Sequence, residues 1–219
     1  MTVQHRFDTH DIFNQSPPFE DVDLFALDGP LRDAVAANGA GEEAAALSEF
    51  GQRWGKAEMF DAARLANENT PKLKTHDIKG FRRDVVEFHP AYHAFMTQSM
   101  RDGLHASTWA ADGSRAKAPS QVARAARYFI VAQVENGHQC PITMTRACVG
   151  ALGVEPALLG KLIGKITSRT YDPRFIPWWE KDSITLGMGM TEKQGGTDVR
   201  ANTTTAIPAA DGYSITGHK

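Results

Sequence analysis

From about residue 30 to residue 166 the apolar positions recur at helical spacing, and the texture changes only after Pro177. Punctuation marks the first helix: Asp28 can cap it, Pro30 falls in its first turn and Gly39 stops it. Leu47, Phe50 and Trp54 then repeat on one side and Phe60 and Leu65 continue it, which predicts a longer helix from about Glu42 to Asn67. Gly51 and Gly55 lie inside that stretch and permit close packing. Residues 68–88 are polar and mixed, and read as a connection with at most short structure. From Pro90 a helix carries Tyr92, Phe95, Met96 and Met100 on one side and ends at Gly103. A loop over 111–119 precedes the next helix, opened by Pro119 or Ser120. Its stripe of Val122, Ala125, Ala126, Phe129, Ile130 and Val134 is the clearest in the chain, with Gly137 as its natural stop. Pro141 opens a helix to about Val149, and Pro156 opens another with Leu158, Leu159, Leu162, Ile163 and Ile166.

Beyond Pro177 the signals are those of strands. Ser183-Ile184-Thr185-Leu186 is strand-like, and so is Gly212–Gly217 after an Asp211-Gly212 turn. The chain therefore reads as α+β in three parts: an acidic arm with a short helix (1–40), a helical domain (41–182), and the start of a β domain (183–219). The sequence stops inside an expected strand, which would leave backbone groups unpaired, so a fragment of a longer protein is expected. Residues 1–28 are polar and acidic but carry Phe7, Phe13, Phe19 and Phe25, which suggests an arm that docks on another surface.

Charge sharpens that picture. Residues 1–50 hold ten Asp and Glu against two Lys and Arg, while the rest of the chain holds 16 against 22. The basic residues are dispersed apart from short clusters such as Arg82-Arg83, so no nucleic-acid footprint stands out. No apolar run approaches the ~20 residues needed to cross a bilayer, and the N-terminus lacks the apolar core of a secretory signal, so no membrane role and a cytoplasmic location are expected. Cys140 and Cys148 are too few for a disulfide framework and lie in no metal-type spacing; free, partly buried thiols are expected.

The chemistry concentrates in Leu186–Thr205, LGMGMTEKQGGTDVRANTTT. A strand end leads through Met188, Gly189, Met190 and Thr191 into a loop with Gly195 and Gly196, and Thr197 follows. Glycines allow close backbone approach, adjacent N–H groups can receive an anion, and the two threonines add hydroxyls. Such a segment suits a ligand with a polar ring and a phosphate. Neither a GxxxxGK[ST] phosphate loop nor a GxGxxG turn is present. Taken on spacing alone, the segment is either a ligand cradle or a glycine-containing surface turn.

Met190-Thr191-Glu192-Lys193-Gln194-Gly195-Gly196-Thr197-Asp198 resembles the M-T-E-P-x-x-G-S-D pattern of the acyl-CoA dehydrogenase superfamily, with Lys193 in place of proline and Thr197 in place of serine. The lysine in MTEKQGG, the following D-V-x-x-N-T-T, and the segments Phe13-Asn14-Gln15, Phe88–His93 and Cys140–Thr145 are similar to the AidB-like branch, linked to the response to alkylation damage. The resemblance spans essentially the whole chain. It implies an N-terminal helical domain followed by the first strands of a β-barrel, FAD as cofactor, and a homo-oligomer, in that family a tetramer. It further implies main-chain contacts from Met188–Met190 to the flavin ring, the Thr191 hydroxyl near flavin N5, the glycines and Thr197 near the cofactor pyrophosphate, and Thr197 near acyl-CoA. In that family a glutamate removes the α proton and the β hydride passes to the flavin; the glutamate lies beyond Lys219, so Glu192 is not expected to be the base and this chain alone is expected to be inactive. Small acyl-CoAs and alkylating agents are both candidate substrates. The alternative within the resemblance is a non-catalytic, DNA-associated protective flavoprotein, its DNA contacts lying in C-terminal parts outside this sequence.

Two other constellations bear on chemistry. His89 and His93 form an HxxxH pair near Glu87, but Pro90 puts His89 at a helix start and no third ligand is evident, so a structural role and no metal are expected. Trp178-Trp179 could stack on a ligand ring, although packing at the domain junction is the favoured expectation.

Overall fold

The computed structural model describes residues 8–116 and 118–219, with the side chains of Asp8, Ala118 and Pro119 outside the description; Phe7 of the acidic arm lies outside it too. Helix α1 (Gly29–Ala37) begins as its punctuation requires: the Asp28 carboxylate accepts the Leu31 N–H at 2.9 Å, and Gly39 leaves the helix at φ 75°. The long helix expected over Glu42–Asn67 is two, α2 (Ala44–Trp54) and α3 (Ala57–Glu68). The break has a local cause. The Gly55 carbonyl is taken by the Val22 N–H (3.2 Å) instead of a later helical donor, and Lys56 is extended at ψ 144°. A β-carbon on Gly55 would sit 2.0 Å from the Val22 carbonyl oxygen, and one on Gly51 2.7 Å from the Phe25 nitrogen. These two glycines let the end of the acidic arm lie directly on α2, with Leu24 and Phe25 buried. Phe13 and Phe19 of that arm are exposed.

Residues 68–88, expected to be a connection, contain an antiparallel hairpin of β1 (Lys72–His76) and β2 (Arg82–Glu87). Its turn is closed by the Asp77 carboxylate, which accepts the Lys79 and Phe81 N–H groups at 2.9 and 3.0 Å, with Gly80 at φ 84°. An irregularity in register follows, and Asp84 there has φ 48°.

Helices α4 (Pro90–Arg101), α5 (Ala118–Ala132), α6 (Gln139–Leu152) and α7 (Pro156–Ile166) complete the helical part. On α5 the buried positions are Ala123, Ala126, Ile130 and Val131, so the stripe is rotated from the expected one: Ala125 and Phe129 face out. The main core joins Leu47, Phe50, Trp54, Phe95, Met96, Met100 and Ile130. Trp54 stacks against Phe50 and Phe95 at 5.8 and 5.9 Å, and its indole N–H reaches Asp102 at 3.2 Å, so the one polar atom of the largest core side chain is satisfied.

A second, smaller core joins Val149 of α6 with Leu162, Ile163 and Ile166 of α7 and with Ile184. Residues 183–186 were expected as a strand; they pair with no strand among the described residues, because strand pairing needs a neighbour and this segment meets helices. The last hairpin is β3 (Thr205–Ala209) against β4 (Gly212–Thr216), turned at Ala210-Asp211, and every residue of both strands is exposed. No described helix is long and apolar enough to cross a membrane.

Candidate functional site

The segment Gly187–Thr197 is fixed at both ends by contacts that the residues themselves explain. Upstream, Ile184 is buried between α6 and α7 with Leu186 packed beside it. The Ile184 N–H bonds the Lys165 carbonyl at 3.3 Å and the Leu186 N–H bonds the Thr145 hydroxyl at 3.0 Å. The chain thus leaves the helical part extended and at a set position.

Downstream, Glu192 is the anchor. Its side chain is buried and accepts the N–H groups of Thr203 (2.7 Å) and Thr204 (3.0 Å), the Gln194 amide (2.8 Å) and the Lys219 ammonium (3.0 Å). With the Thr203 hydroxyl (3.3 Å), five donors converge on one carboxylate, and they hold it well below the usual carboxylate range, the Gln194 amide foremost. Reciprocal bonds between Glu192 and Gly195 (3.2 and 3.0 Å) close a tight turn over Lys193-Gln194, with Gly195 at φ 142°. The Met190 carbonyl accepts from Asn202 (3.0 Å) and Lys219 (3.2 Å).

Between these anchors the backbone is held but not used. Among the described residues, the N–H groups of Gly187, Met188, Gly189, Met190 and Thr191 have no partner. Met188 and Met190 are 40% and 55% exposed. Thr191 and Thr197 are exposed and their hydroxyls make no hydrogen bond among the described residues. The loop folds Gly196 against Thr191, so closely that a β-carbon at Gly196 would lie 2.5 Å from the Thr191 hydroxyl oxygen. The seven expected cofactor-facing residues therefore share one surface strip: a row of free amides, two free hydroxyls and a glycine that must stay small. Such a strip can meet the polar edge of a ring through N–H donors and an anion through hydroxyls.

The histidine pair is split between two tasks. The His89 ring accepts the Ala91 N–H at 3.2 Å and caps α4, while His93 Nδ1 lies 3.0 Å from the Tyr171 hydroxyl. Burial lowers the His93 pKa and raises that of Tyr171. The two line a cleft of about 540 Å³ that reaches Ser183 and Thr185, next to the start of the strip. No group of three or more His, Cys, Asp or Glu placed to hold a metal occurs among the described residues. Trp178 and Trp179 are 44% and 62% exposed, so the expected packing at the junction is not made within the described chain. Cys140 and Cys148 are free, but Cys140 is exposed where a partly buried thiol was expected.

Two arrangements escaped sequence reasoning. One is the Glu192 anchor, whose partners sit up to 27 residues downstream at Lys219 and leave no local pattern. The other is a buried relay in the helical core: Ser99 to His138 Nε2 at 2.8 Å, and His138 Nδ1 to Glu135 at 2.5 Å. The three side chains are shut off from solvent, with His138 stacked on Trp54 and Phe95. Glu135 and His138 border a cleft of about 330 Å³, and the relay satisfies the buried polar groups of all three side chains.

Comparison with known proteins gives the family and the fold. A family model described as the adaptive response protein AidB N-terminal domain matches residues 14–173. Over 213 residues the chain is 43% identical to AidB of Escherichia coli (strain K12), a protein named as a candidate acyl-CoA dehydrogenase. The match takes in 96% of this chain, so it includes Met188–Thr197, but only 39% of that relative's length. The fold is similar to that of Caenorhabditis elegans ACDH-11, solved in complex with C11-CoA, with a TM-score of 0.71 at 23% identity over 99% of this chain and 37% of that one. It is also similar to Bd2924 in its apo form, with a TM-score of 0.72 at 22% identity over 94% of this chain and 41% of that one.

Proposed function

The chain belongs to the AidB N-terminal domain family, and from that premise we propose that it is the N-terminal part of an FAD-dependent, acyl-CoA dehydrogenase-like oxidoreductase of the AidB type. The observation that carries the reading is the strip Gly187–Thr191 with Gly195, Gly196 and Thr197: anchored at both ends, its amides and hydroxyls are free. FAD fits this donor set. A flavin ring edge carries acceptors that match a row of N–H groups, and a pyrophosphate matches hydroxyls beside a glycine turn. When bound, FAD supplies the two-electron acceptor of the reaction.

The residues of this chain orient and do not react. Met188, Gly189 and Met190 would hold the ring edge through main-chain donors, and Thr191 would place its hydroxyl toward the ring. Gly195, Gly196 and Thr197 would face the pyrophosphate, Thr197 also serving an acyl-CoA substrate. Glu192 is consumed by its five donors and is unsuited to take a proton, since a carboxylate held so far below its ordinary range is a weak base. A base, and the other walls of the site, belong to chain or subunits beyond these residues. An acyl-CoA as substrate, assembly as a homo-oligomer and a setting in the cytoplasmic response to alkylation damage rest on the family.

The test is the flavin content of the longer protein that contains this chain. Gentle purification should give a yellow protein with bound FAD. Thr191→Val should shift the flavin absorption bands, and Gly196→Val should lower FAD occupancy at least about tenfold, because its side chain would enter the space held by Thr191. A wild-type protein that neither carries nor takes up FAD would sink the proposal.

A further inference from the structure

The hairpin β1–β2 stands apart from both cores. Its strands pair with each other alone, and ten of their eleven residues are exposed. Ile78 and Phe81 at its turn are 102% and 67% exposed, and Leu73 and Val86, on the face opposite Lys74 and Val85, are 62% and 45% exposed. A two-stranded hairpin with a bare apolar surface is marginal in water, so this one calls for a cover. The chemistry of that cover is set by charge. Arg82 is paired with Asp84, but Lys72, Lys74, Lys79 and Arg83 have no carboxylate partner among the described residues. Lys74, His76 and Arg83 surround Ile78 and Val85 in a concave face of about 490 Å³, which Asp77 and Glu87 also line.

The complementary surface is on the same chain. Residues 8–28 carry six Asp and Glu and no Lys or Arg. Asp23 and Asp28 are engaged locally and Asp21 faces Lys56, whereas Asp11 and Glu20 have no cationic partner among the described residues. Beside them Ile12, Phe13 and Phe19 are 79%, 92% and 61% exposed. This arm is tethered on α2 by Val22–Phe25, and no hydrogen bond or ion pair joins it to its own hairpin among the described residues.

We infer that the acidic arm of one copy docks on the basic hairpin of a second copy, its Ile12, Phe13 and Phe19 covering the Ile78 and Val85 face while Asp11 and Glu20 meet Lys74 and Arg83. The pairing brings the exposed apolar residues of an acidic arm to Ile78 and Val85 on a hairpin whose residues 72–87 hold five Lys and Arg against three Asp and Glu, a combination that gives both burial and register at an interface. It is independent of the flavin reading.

Charge reversal in the longer protein tests it. One variant carries Asp11→Lys and Glu20→Lys; the other carries Lys74→Glu and Arg83→Glu. All four residues are exposed, and circular dichroism should confirm an unchanged fold. By sedimentation velocity each variant alone should fall to a smaller assembly, its self-association weakened at least about tenfold. Mixing the two should restore the wild-type mass, because each reversed arm then meets a reversed hairpin and each native arm a native one. Loss of mass without rescue on mixing would place the contact within one copy and overturn the inference. Unchanged mass in both variants would also overturn it, as would wild-type mass in the hairpin variant together with lost binding of a duplex oligonucleotide or an anionic vesicle.

Discussion

In the helical part, Trp54, Leu47, Met100, Ile130 and Ile142 are completely buried; in β3–β4, Ile207, Tyr213 and Ile215 are 64%, 60% and 73% exposed. Both regions carry apolar residues at the period proper to their secondary structure. The difference lies in where the partner is. A helical stripe at residues 44–54 finds α5 in the same chain, and the stripe of α7 finds α6 and Ile184. Neither face of the β3–β4 hairpin, Ile207 on one and Tyr213 and Ile215 on the other, is covered among the described residues, and the strip Gly187–Thr191 leaves its amides free as well. One region is a body that covers itself, and the other is open among the described residues. The chain spans 39% of the length of its Escherichia coli relative.

The largest effect expected on this contrast comes from the body. Trp54→Ala removes the side chain that joins Phe50, Phe95 and His138 and one of the donors to Asp102, which keeps Gln98 and Arg53. Urea unfolding should show a loss of about 3–5 kcal/mol. A loss below about 1 kcal/mol would mean that the helical core is not the cooperative unit.

Next comes pH. His105 is buried, its Nε2 bonded to the Ser168 carbonyl at 2.9 Å and its Nδ1 without a partner. Burial, with Arg169 and Arg124 nearby, lowers its pKa from 6.5 to about 4. The unfolded chain therefore binds a proton that the folded one refuses, and stability falls as pH drops from 6.5 toward 4. The full loss is about 3 kcal/mol. Glu135 acts in a lower window: the side-chain and backbone bonds from His138 and the Gly137 N–H outweigh its burial and lower its pKa to about 2, so its contribution is present above 4.5 and fades as pH falls toward 2. Urea midpoints at stepped pH should show the two windows separately, and His105→Gln should flatten only the upper one. An unchanged upper window in that variant would show that His105 is not its source.

A smaller effect separates body from arm. Gly55→Ala puts a β-carbon 2.0 Å from the Val22 carbonyl oxygen and must push residues 22–25 off α2, at a cost of about 1–3 kcal/mol. Hydrogen exchange should then quicken at Val22 and Phe25 while the amides of α4 stay protected. Unchanged exchange at Val22 would show that the arm is not seated there.

How far the sequence could be read follows the same division. Caps and stops are local, and Asp28, Pro30, Gly39, Pro90 and Pro156 mark their helices at sight. The split at Gly55 depends on Val22, a residue 33 positions away, and so does not show in the helical period. The hairpin at 72–87 hid because both its faces carry charge, which erases the alternation that normally reveals a strand. At the site, the glycines and threonines were legible as a pattern. Glu192 was not, because an anchor is defined by which N–H groups arrive, and Thr203, Thr204 and Lys219 arrive through the fold.

The smallest expected effect probes the exposed side most directly. Ile215 stands opposite Ala206 on the bare hairpin and is 73% exposed. In the 219-residue chain, Ile215→Thr removes little that is out of water, and threonine keeps the β-branched shape that strands favour, so urea unfolding should change by no more than about 0.5 kcal/mol. In a longer protein that covers this face, the same substitution exchanges a buried apolar group for a hydroxyl and should cost about 1–3 kcal/mol. The two measurements together locate the boundary between body and open face. A large loss in the short chain would mean that the hairpin already packs on the helical part. A negligible loss in both would mean that nothing covers β4 in the complete molecule, and the contrast between the two regions would then be one of solvent exposure alone.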